Sequence, residues 1–206
     1  MVPRVVLASG SPQRREILEK LGVEFEVVVS GVEELTEGDP ERLVIENARR
    51  KAQGVANGEG EAPAGEVYVL GTSPSPSTKP LIIGCDTDVV LDGLVLGKPR
   101  DAAEAREYLD RMAGRTHEVL SGLVVLDGNR ELSGLERTQV TFKALSDAEK
   151  ERYVAFGEWQ GRSGGYAIQT LGSTLVERLE GSVSNVVGLP VGLLADLAPE
   201  LLQLHG

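Results

Sequence analysis

Residues 4–29 read RVVLASGSPQRREILEKLGVEFEVVV and place a strand, a helix and a second strand in succession. The apolar run at 4–8 is typical of a short buried strand, and the run at 23–29 predicts a second strand. Between them, Ser11 and Pro12 suit the N-cap and the first position of a helix. This stretch therefore predicts an α/β protein.

A second stretch, LIIGCDTDVVLDGLVL at 81–96, adds a hairpin to this alternation. The pair Asp92-Gly93 between two apolar runs is a strong signal for a tight antiparallel turn. The same reasoning predicts helices over 40–56 and 101–114, from Ser146 and from Pro190, and strands over 116–126, 131–142 and 175–179. Because hairpins accompany the alternating elements, we expect a mixed, partly antiparallel twisted sheet with flanking helices.

The length of the chain bounds its domain organisation. With 206 residues it suffices for one domain over 1–206, or for two lobes that share a core. Residues 57–80 are rich in Gly, Pro, Ser and Thr, and predict a mobile surface insertion in which Val67–Leu70 forms a short strand.

Composition and charge exclude several classes of protein. The formal net charge is −11, with neither the basic excess nor the basic stripe expected of a duplex nucleic-acid binder. One cysteine allows no intrachain disulfide and no zinc site built on several thiolates. The N-terminus does not resemble a signal peptide, and no run of about 18 apolar residues is present. We therefore expect a cytoplasmic protein without a membrane span.

Two groups of cations are poorly explained by packing. Arg14 and Arg15 fall in the first turn of a helix, where the helix dipole disfavours cations but free backbone N–H groups bind anions. They indicate either an anion site or two solvated side chains. Lys51 falls on the same helical stripe as Val44 and Ala48, so it either faces a functional cleft or extends past its neighbours to water.

Asp86 follows the most apolar strand of the chain. Ligand sites of α/β sheets favour the carboxyl ends of strands, where a carboxylate suits metal binding or base catalysis. Asp88, two residues on, either shares that face as a second metal ligand or caps the hairpin. Gln169 either reads the polar edge of a nucleobase or satisfies backbone groups.

Three further residues suggest packing. We interpret His117 and Trp159 as packing or surface residues, and Cys85 as a small core residue, since no partner histidine lies at an informative spacing.

Taken together, several segments resemble the Maf family of nucleoside triphosphate pyrophosphatases, in the order of the family's motifs. They are LASGSPQRR at 7–15, VEE at 32–34, GCDT at 84–87, LDG at 91–93, LGKP at 96–99, GRTH at 114–117, GGYAIQ at 164–169, EG at 180–181 and NVVGLP at 185–190. The resemblance covers the chain except 57–80.

This resemblance implies a two-lobed fold around a cleft, like that of Maf and ITPase proteins, and assembly as a homodimer. It implies cleavage of a nucleoside triphosphate to a monophosphate and pyrophosphate by metal-activated water. Asp86 would be the proton acceptor, and Glu34 and Asp86 would hold Mg²⁺ or Mn²⁺. The residues implied to bind phosphate are Ser9, Arg14, Lys51 and Lys98, and those associated with base choice are Gln13, Thr87 and Gln169.

Departures from the family pattern leave the substrate open. Thr87 and Gln169 resemble the subgroup that prefers dTTP and UTP, whereas Gln13 replaces an arginine of the usual motif and removes a charge. Arg162-Ser163 also stand where the family has Lys-Ala. One alternative is therefore a pyrophosphatase for modified nucleotides such as 7-methyl-GTP, and another is a non-enzymatic regulator of septum formation.

Overall fold

The computed structural model describes residues 4–61 and 79–202. Its strands are β1 (Val5–Leu7), β2 (Glu26–Val27), β3 (Leu81–Leu91), β4 (Leu94–Leu96), β5 (Thr116–Asp127), β6 (Arg130–Phe142) and β7 (Val176–Glu180). Its helices are α1 (Pro12–Lys20), α2 (Pro40–Ala56), α3 (Ala102–Met112), α4 (Asp147–Phe156), α5 (Val183–Val187) and α6 (Val191–Leu197).

The strands form a mixed sheet in the order β2-β1-β3-β5-β6-β7, with β4 paired to β3. Strand β1 is parallel to β2 and to β3, where Leu7 lies opposite Ile83. Strand β4 is antiparallel to β3, and β7 is antiparallel to β6. The predicted mixed, partly antiparallel sheet with flanking helices is confirmed.

Local signals in the sequence account for several element ends. The Ser11 side chain accepts a hydrogen bond from the Arg14 N–H and caps α1, as its position before Pro12 predicts. At the β3–β4 turn, Asp92 and Gly93 both have positive φ, 53° and 76°. Two left-handed residues in a two-residue loop match the twist of the paired strands, which explains the preference for Asp-Gly there.

Two strands differ in length from the prediction. Only Glu26–Val27 of the predicted 23–29 strand pairs with β1, while Val23 and Phe25 are buried by packing. Conversely, β3 does not end at Cys85 but continues to Leu91, so Asp86 lies inside the strand rather than at its carboxyl end. The insertion predicted at 57–80, with its strand at Val67–Leu70, falls largely outside the described residues.

The chain divides into two compact units. The first comprises Met1–Asp86, Ser121–Glu136 and Gly188–Gly206, and the second comprises Thr87–Leu120 and Arg137–Val187. Each has its own apolar core: the first is built around residues such as Leu7 and Ile83, and the second around residues such as Phe142 and Tyr153. The boundary within β3 falls between Asp86 and Thr87.

In the part of the chain that the structure describes, no helix has the length and apolar character needed to cross a membrane.

Candidate functional site

Helix α2 lies unusually close to the sheet of the first unit. A Cβ atom added at Gly84 of β3 would lie 2.2 Å from the Ala48 carbonyl oxygen. One added at Gly122 of β5 would lie 2.2 Å from the Val44 carbonyl oxygen. Only glycine permits this approach, because real side chains do not come so near to backbone oxygen. The approach brings Lys51, in the next turn of α2, beside Asp86, which lies two positions after Gly84 on the same face of β3.

Alternation along β3 directs Asp86 towards α2. Ile82 packs with Ala48 and Ala52 of the helix, whereas Ile83 and Cys85 belong to the core on the other face. Since side chains alternate between the faces of a strand, Asp86 shares the face of Ile82 and Gly84. A buried carboxylate is therefore aimed at a helix, where it needs a partner to offset its desolvation.

Lys51 supplies that partner. Its ammonium nitrogen lies 2.6 Å from Asp86 Oδ1 and 2.8 Å from Glu34 Oε1. The Lys51 side chain is mostly buried, so it does not extend past its neighbours to water. The structure therefore disfavours the interpretation of a side chain that extends to water, and that Lys51 faces a functional cleft stays a prediction.

Asn47 is a site residue that the sequence did not reveal. Its side chain is buried on α2, one helical turn before Lys51. The amide nitrogen donates to Asp86 Oδ2 at 3.2 Å and to the Leu35 carbonyl at 3.0 Å. The amide oxygen accepts from the Leu35 N–H at 2.8 Å. An asparagine on the core-facing stripe of a helix was the available signal, since such a group must find hydrogen-bond partners.

The loop at 28–39, hereafter the Glu34 loop, joins β2 to α2 and runs close to the helix. A Cβ atom added at Gly54 of α2 would lie 2.8 Å from Val32 Cγ1 and 3.1 Å from Ser30 Cβ. A glycine inside a helix costs stability relative to alanine. Here it leaves space for the loop that presents Glu34 to Lys51.

Arg14 is buried, which rules out the interpretation of a solvated side chain at that position. Its Nη1 donates to Ser9 Oγ at 3.0 Å, and its Nε donates to the Gly188 carbonyl at 2.8 Å. The Cys85 thiol also contacts this carbonyl, at 3.4 Å, so Gly188 connects Arg14 to the residue before Asp86. The structure thus brings Ser9 and Arg14 together and links them to Cys85 of β3 through the Gly188 carbonyl.

Gln13 sits in the first turn of α1 and is half-buried. The Ser11 hydroxyl donates to its Oε1 at 3.1 Å and also accepts from the Arg14 N–H at 3.5 Å. The amide at position 13 is therefore connected through Ser11 to the segment that contains Ser9 and Arg14. An arginine could not accept this hydrogen bond, because its guanidinium has only donors.

Three predicted site residues, Thr87, Lys98 and Gln169, belong to the second unit. Thr87 is half-buried, and Lys98 is exposed. Asp88, the alternative metal ligand, accepts a hydrogen bond from the Ser163 hydroxyl at 3.1 Å. It lies within β3, before the Asp92-Gly93 turn.

The segment that leads to Gln169 is held by buried phenols, while Gln169 itself is exposed. The Tyr166 hydroxyl and His117 Nε2 lie 2.8 Å apart, and the Ala167 N–H donates to the Tyr153 hydroxyl at 3.1 Å. Burial raises the pKa of Tyr166 and lowers that of His117 to about 4. His117 is a neutral core residue, as interpreted from sequence, and burial keeps it out of acid–base chemistry near neutral pH.

Trp159 and Cys85 are also core residues. Trp159 packs in the core of the second unit, and its indole N–H donates to the Val154 carbonyl at 3.0 Å. Cys85 is fully buried in the core of the first unit. Both positions agree with the packing roles expected from sequence.

Comparison with known proteins identifies the family. The family model described as Maf-like protein matches residues 4–201. The chain belongs to the Maf family. This family model spans nearly the whole sequence, including every segment on which the resemblance rested.

Similar Maf relatives match across almost their full lengths. A dTTP/UTP pyrophosphatase of Deinococcus radiodurans is 44% identical over 95% of this chain and 91% of its own. Those of Pyrococcus furiosus and Alkalilimnicola ehrlichii are 39% and 41% identical, over 94% and 96% of this chain and 93% of each of their own. Among solved structures, the Ham1 protein of Staphylococcus aureus matches with a TM-score of 0.42 and 12% identity, over 70% of this chain and 72% of its own.

Proposed function

We propose that this protein hydrolyses nucleoside triphosphates to nucleoside monophosphates and pyrophosphate, with dTTP and UTP as its preferred substrates. The observation that supports this most strongly is the position of Asp86, held between the Lys51 ammonium and the Asn47 amide. The dTTP/UTP pyrophosphatases among its Maf relatives favour the same activity and substrates.

In this proposal Asp86 accepts the proton of the attacking water. A carboxylate with one oxygen bound by an ammonium and the other by an amide is fixed in orientation, and general-base catalysis requires such fixing. Arg14, Lys51 and Lys98, with the Ser9 hydroxyl, offset the charge of the triphosphate. Catalysis of phosphoryl transfer consists mainly of such positioning and charge neutralisation.

Glu34 and Asp86 are the residues that would hold Mg²⁺ or Mn²⁺. Both present a carboxylate oxygen within hydrogen-bond distance of the same ammonium nitrogen, and hard oxygen ligands suit these ions. Among the described residues no group of three or more His, Cys, Asp or Glu side chains is arranged as a metal site. In the proposal, water and phosphate oxygens supply the remaining ligands. A bound ion would lower the pKa of its water and neutralise phosphate charge.

Base choice is assigned to Gln13, Thr87 and Gln169. Because Gln13 replaces a family arginine, 7-methyl-GTP and other modified nucleotides remain competing substrates. A homodimer in the cytoplasm without nucleic-acid partners also remains a prediction, and sedimentation velocity would test the dimer.

A pyrophosphate-release screen tests the proposal. The wild type and Gln13→Arg are assayed with dTTP, UTP, CTP, GTP and 7-methyl-GTP, each with Mg²⁺, with Mn²⁺ and with EDTA. We expect metal-dependent release that is fastest with dTTP and UTP. A preference of the wild type for 7-methyl-GTP would refute the substrate assignment. No release from any triphosphate would refute the activity and favour a regulatory protein.

A further inference from the structure

Asn47 bridges two parts of the candidate site that are distant in sequence. Its amide nitrogen contacts the Asp86 carboxylate of β3, and its amide group makes two hydrogen bonds to the backbone of Leu35. Leu35 directly follows Glu34. Each polar atom of this buried side chain therefore has a partner, and all the partners belong to Asp86 or to the residue beside Glu34.

The contacts of Asn47 are part of a regular pattern along α2. Arg50 donates to the Glu33 carbonyl at 2.9 Å, Lys51 pairs with the Glu34 carboxylate, and Asn47 holds Leu35. Residues three and four apart on a helix share one face, so three side chains of α2 hold three consecutive residues of the Glu34 loop.

Among these three, Asn47 has a distinct role. Arg50 contacts the loop through a backbone carbonyl and also lies 3.9 Å from Glu46 of its own helix, and Lys51 has a charge that a phosphate would attract. Asn47 is neutral and buried, and it binds both the Asp86 carboxylate and the loop backbone. Its bonds do not depend on the charge of the substrate.

We propose that Asn47 is a positioning residue, which sets the separation of the Glu34 and Asp86 carboxylates by holding the Glu34 loop against β3. The inference rests on the proposed function, because it assigns Asn47 to the reaction of that site. Without the amide, Asp86 loses the donor to Oδ2 and the loop loses both hydrogen bonds at Leu35. The two carboxylates would then no longer be preorganised for one cation.

Asn47→Leu tests this role, since leucine keeps the branched shape and removes all three hydrogen bonds. We expect kcat to fall by about 10- to 100-fold, as is typical when residues that orient metal ligands are lost, while KM changes by less than about threefold. The Kd for Mn²⁺, measured by electron paramagnetic resonance without nucleotide, should rise by about tenfold or more.

The matched control is Gln53→Met on the same helix. Gln53 donates to Glu131 Oε2 at 3.2 Å at an exposed position, so this variant also removes an amide–carboxylate hydrogen bond from α2. It should keep the wild-type kcat and Mn²⁺ affinity. A folded Asn47→Leu protein with kcat and Mn²⁺ affinity within about twofold of the control would overturn the proposal, even if its Tm is lower.

Hydrogen exchange of the wild type provides a test that does not depend on folding of the variant. One hydrogen bond to a buried acceptor should slow exchange of the Leu35 amide by about tenfold relative to the Glu34 amide. Equal rates would overturn the proposal. If the wild type hydrolyses no triphosphate, the proposed function fails, whereas the exchange rates and Mn²⁺ affinities still decide the role of Asn47 in the loop.

Discussion

Lys51 of the first unit and Lys150 of the second have nearly the same burial but very different surroundings. Their side chains are 12% and 11% exposed, and each pairs with two carboxylates. Lys51 contacts Asp86 and Glu34. Lys150 lies 2.7 Å from Asp110 and 3.4 Å from Asp147, two residues that also pair with Arg106.

The two clusters differ in charge balance and in the burial of their anions. Around Lys150, two cations face two carboxylates that are 47% and 80% exposed. Around Lys51, one cation faces two carboxylates, and the Asp86 side chain is only 11% exposed. The Lys51 cluster therefore has one negative charge in excess and is suited to a further cation, whereas the Lys150 cluster is balanced.

In the proposed site, this difference in charge balance distinguishes the Lys51 cluster from the structural Lys150 cluster. Burial of a lysine is common to both clusters and does not identify the site. We propose that the excess negative charge does, because a bound cation would offset it beside the buried Asp86 carboxylate. Hydrogen bonding to Asp110 raises the pKa of Lys150, as expected for a closed pair.

Substituting the carboxylates should separate the two clusters most strongly. Asp86→Asn removes the proposed base and should lower kcat by about 10²- to 10⁴-fold. Asp110→Asn should leave kcat within about twofold, because its partners belong to the structural network. Pyrophosphate release and thermal unfolding of both variants make the comparison. An Asp86→Asn protein with more than about half of the wild-type activity would show that Asp86 is not the base.

His117 is a buried titratable group that lies outside both clusters. Its contribution to acid sensitivity must be removed before the two clusters are compared at low pH. Burial lowers its pKa from 6.5 to about 4 in the folded protein. The unfolded chain therefore binds more protons between these pH values, and stability should fall as the pH is lowered through this window. At about 1.4 kcal/mol per pKa unit, the full loss is roughly 3 kcal/mol.

His117→Gln keeps a hydrogen-bonding group and does not titrate. We expect urea unfolding of this variant to show a flatter dependence on pH than that of the wild type between pH 6.5 and 4. Equal dependence in the two proteins would mean that His117 does not account for the acid sensitivity.

The smallest expected effect concerns the cations themselves. Lys51→Met leaves Glu34 and Asp86 without their shared ammonium, so a divalent ion should bind the pair without competition. Saturating Mn²⁺ should then stabilise this variant by about 1–2 kcal/mol more than it stabilises the wild type. Lys150→Met should respond to Mn²⁺ as the wild type does. The same Mn²⁺ response in all three proteins would contradict an excess charge specific to the Lys51 cluster.

Much of the local structure was predictable because its causes are local. Helix α2 was predicted at 40–56 and spans Pro40–Ala56, with Asp39 as its N-cap. The β3–β4 turn followed from Asp92-Gly93. In the same way, the anomaly of Lys51 was visible because the period of a helix places it on the apolar stripe.

What could not be predicted depends on contacts between distant segments. The polar residues Asp86 and Asp88 looked like the end of a strand, but β3 continues because Asn47, Lys51 and Ser163 satisfy their side chains. The hydrogen-bond partners of Asn47 could not be predicted, because Leu35 and Asp86 are distant from it in sequence and lie beside it only in the folded chain. The placement of Gln13, Thr87, Lys98 and Gln169 around a nucleotide stays a prediction from the family resemblance.

Gly54 has a consequence for protein engineering. Replacing a glycine inside a helix with alanine is a common route to a more stable protein and contributes about 1 kcal/mol in helix propensity. At Gly54 the added methyl group would meet Val32 and Ser30 of the Glu34 loop. The Gly54→Ala substitution would therefore stabilise α2 but displace the loop that carries Glu34. Selection for heat resistance at this position would then lower the rate of turnover.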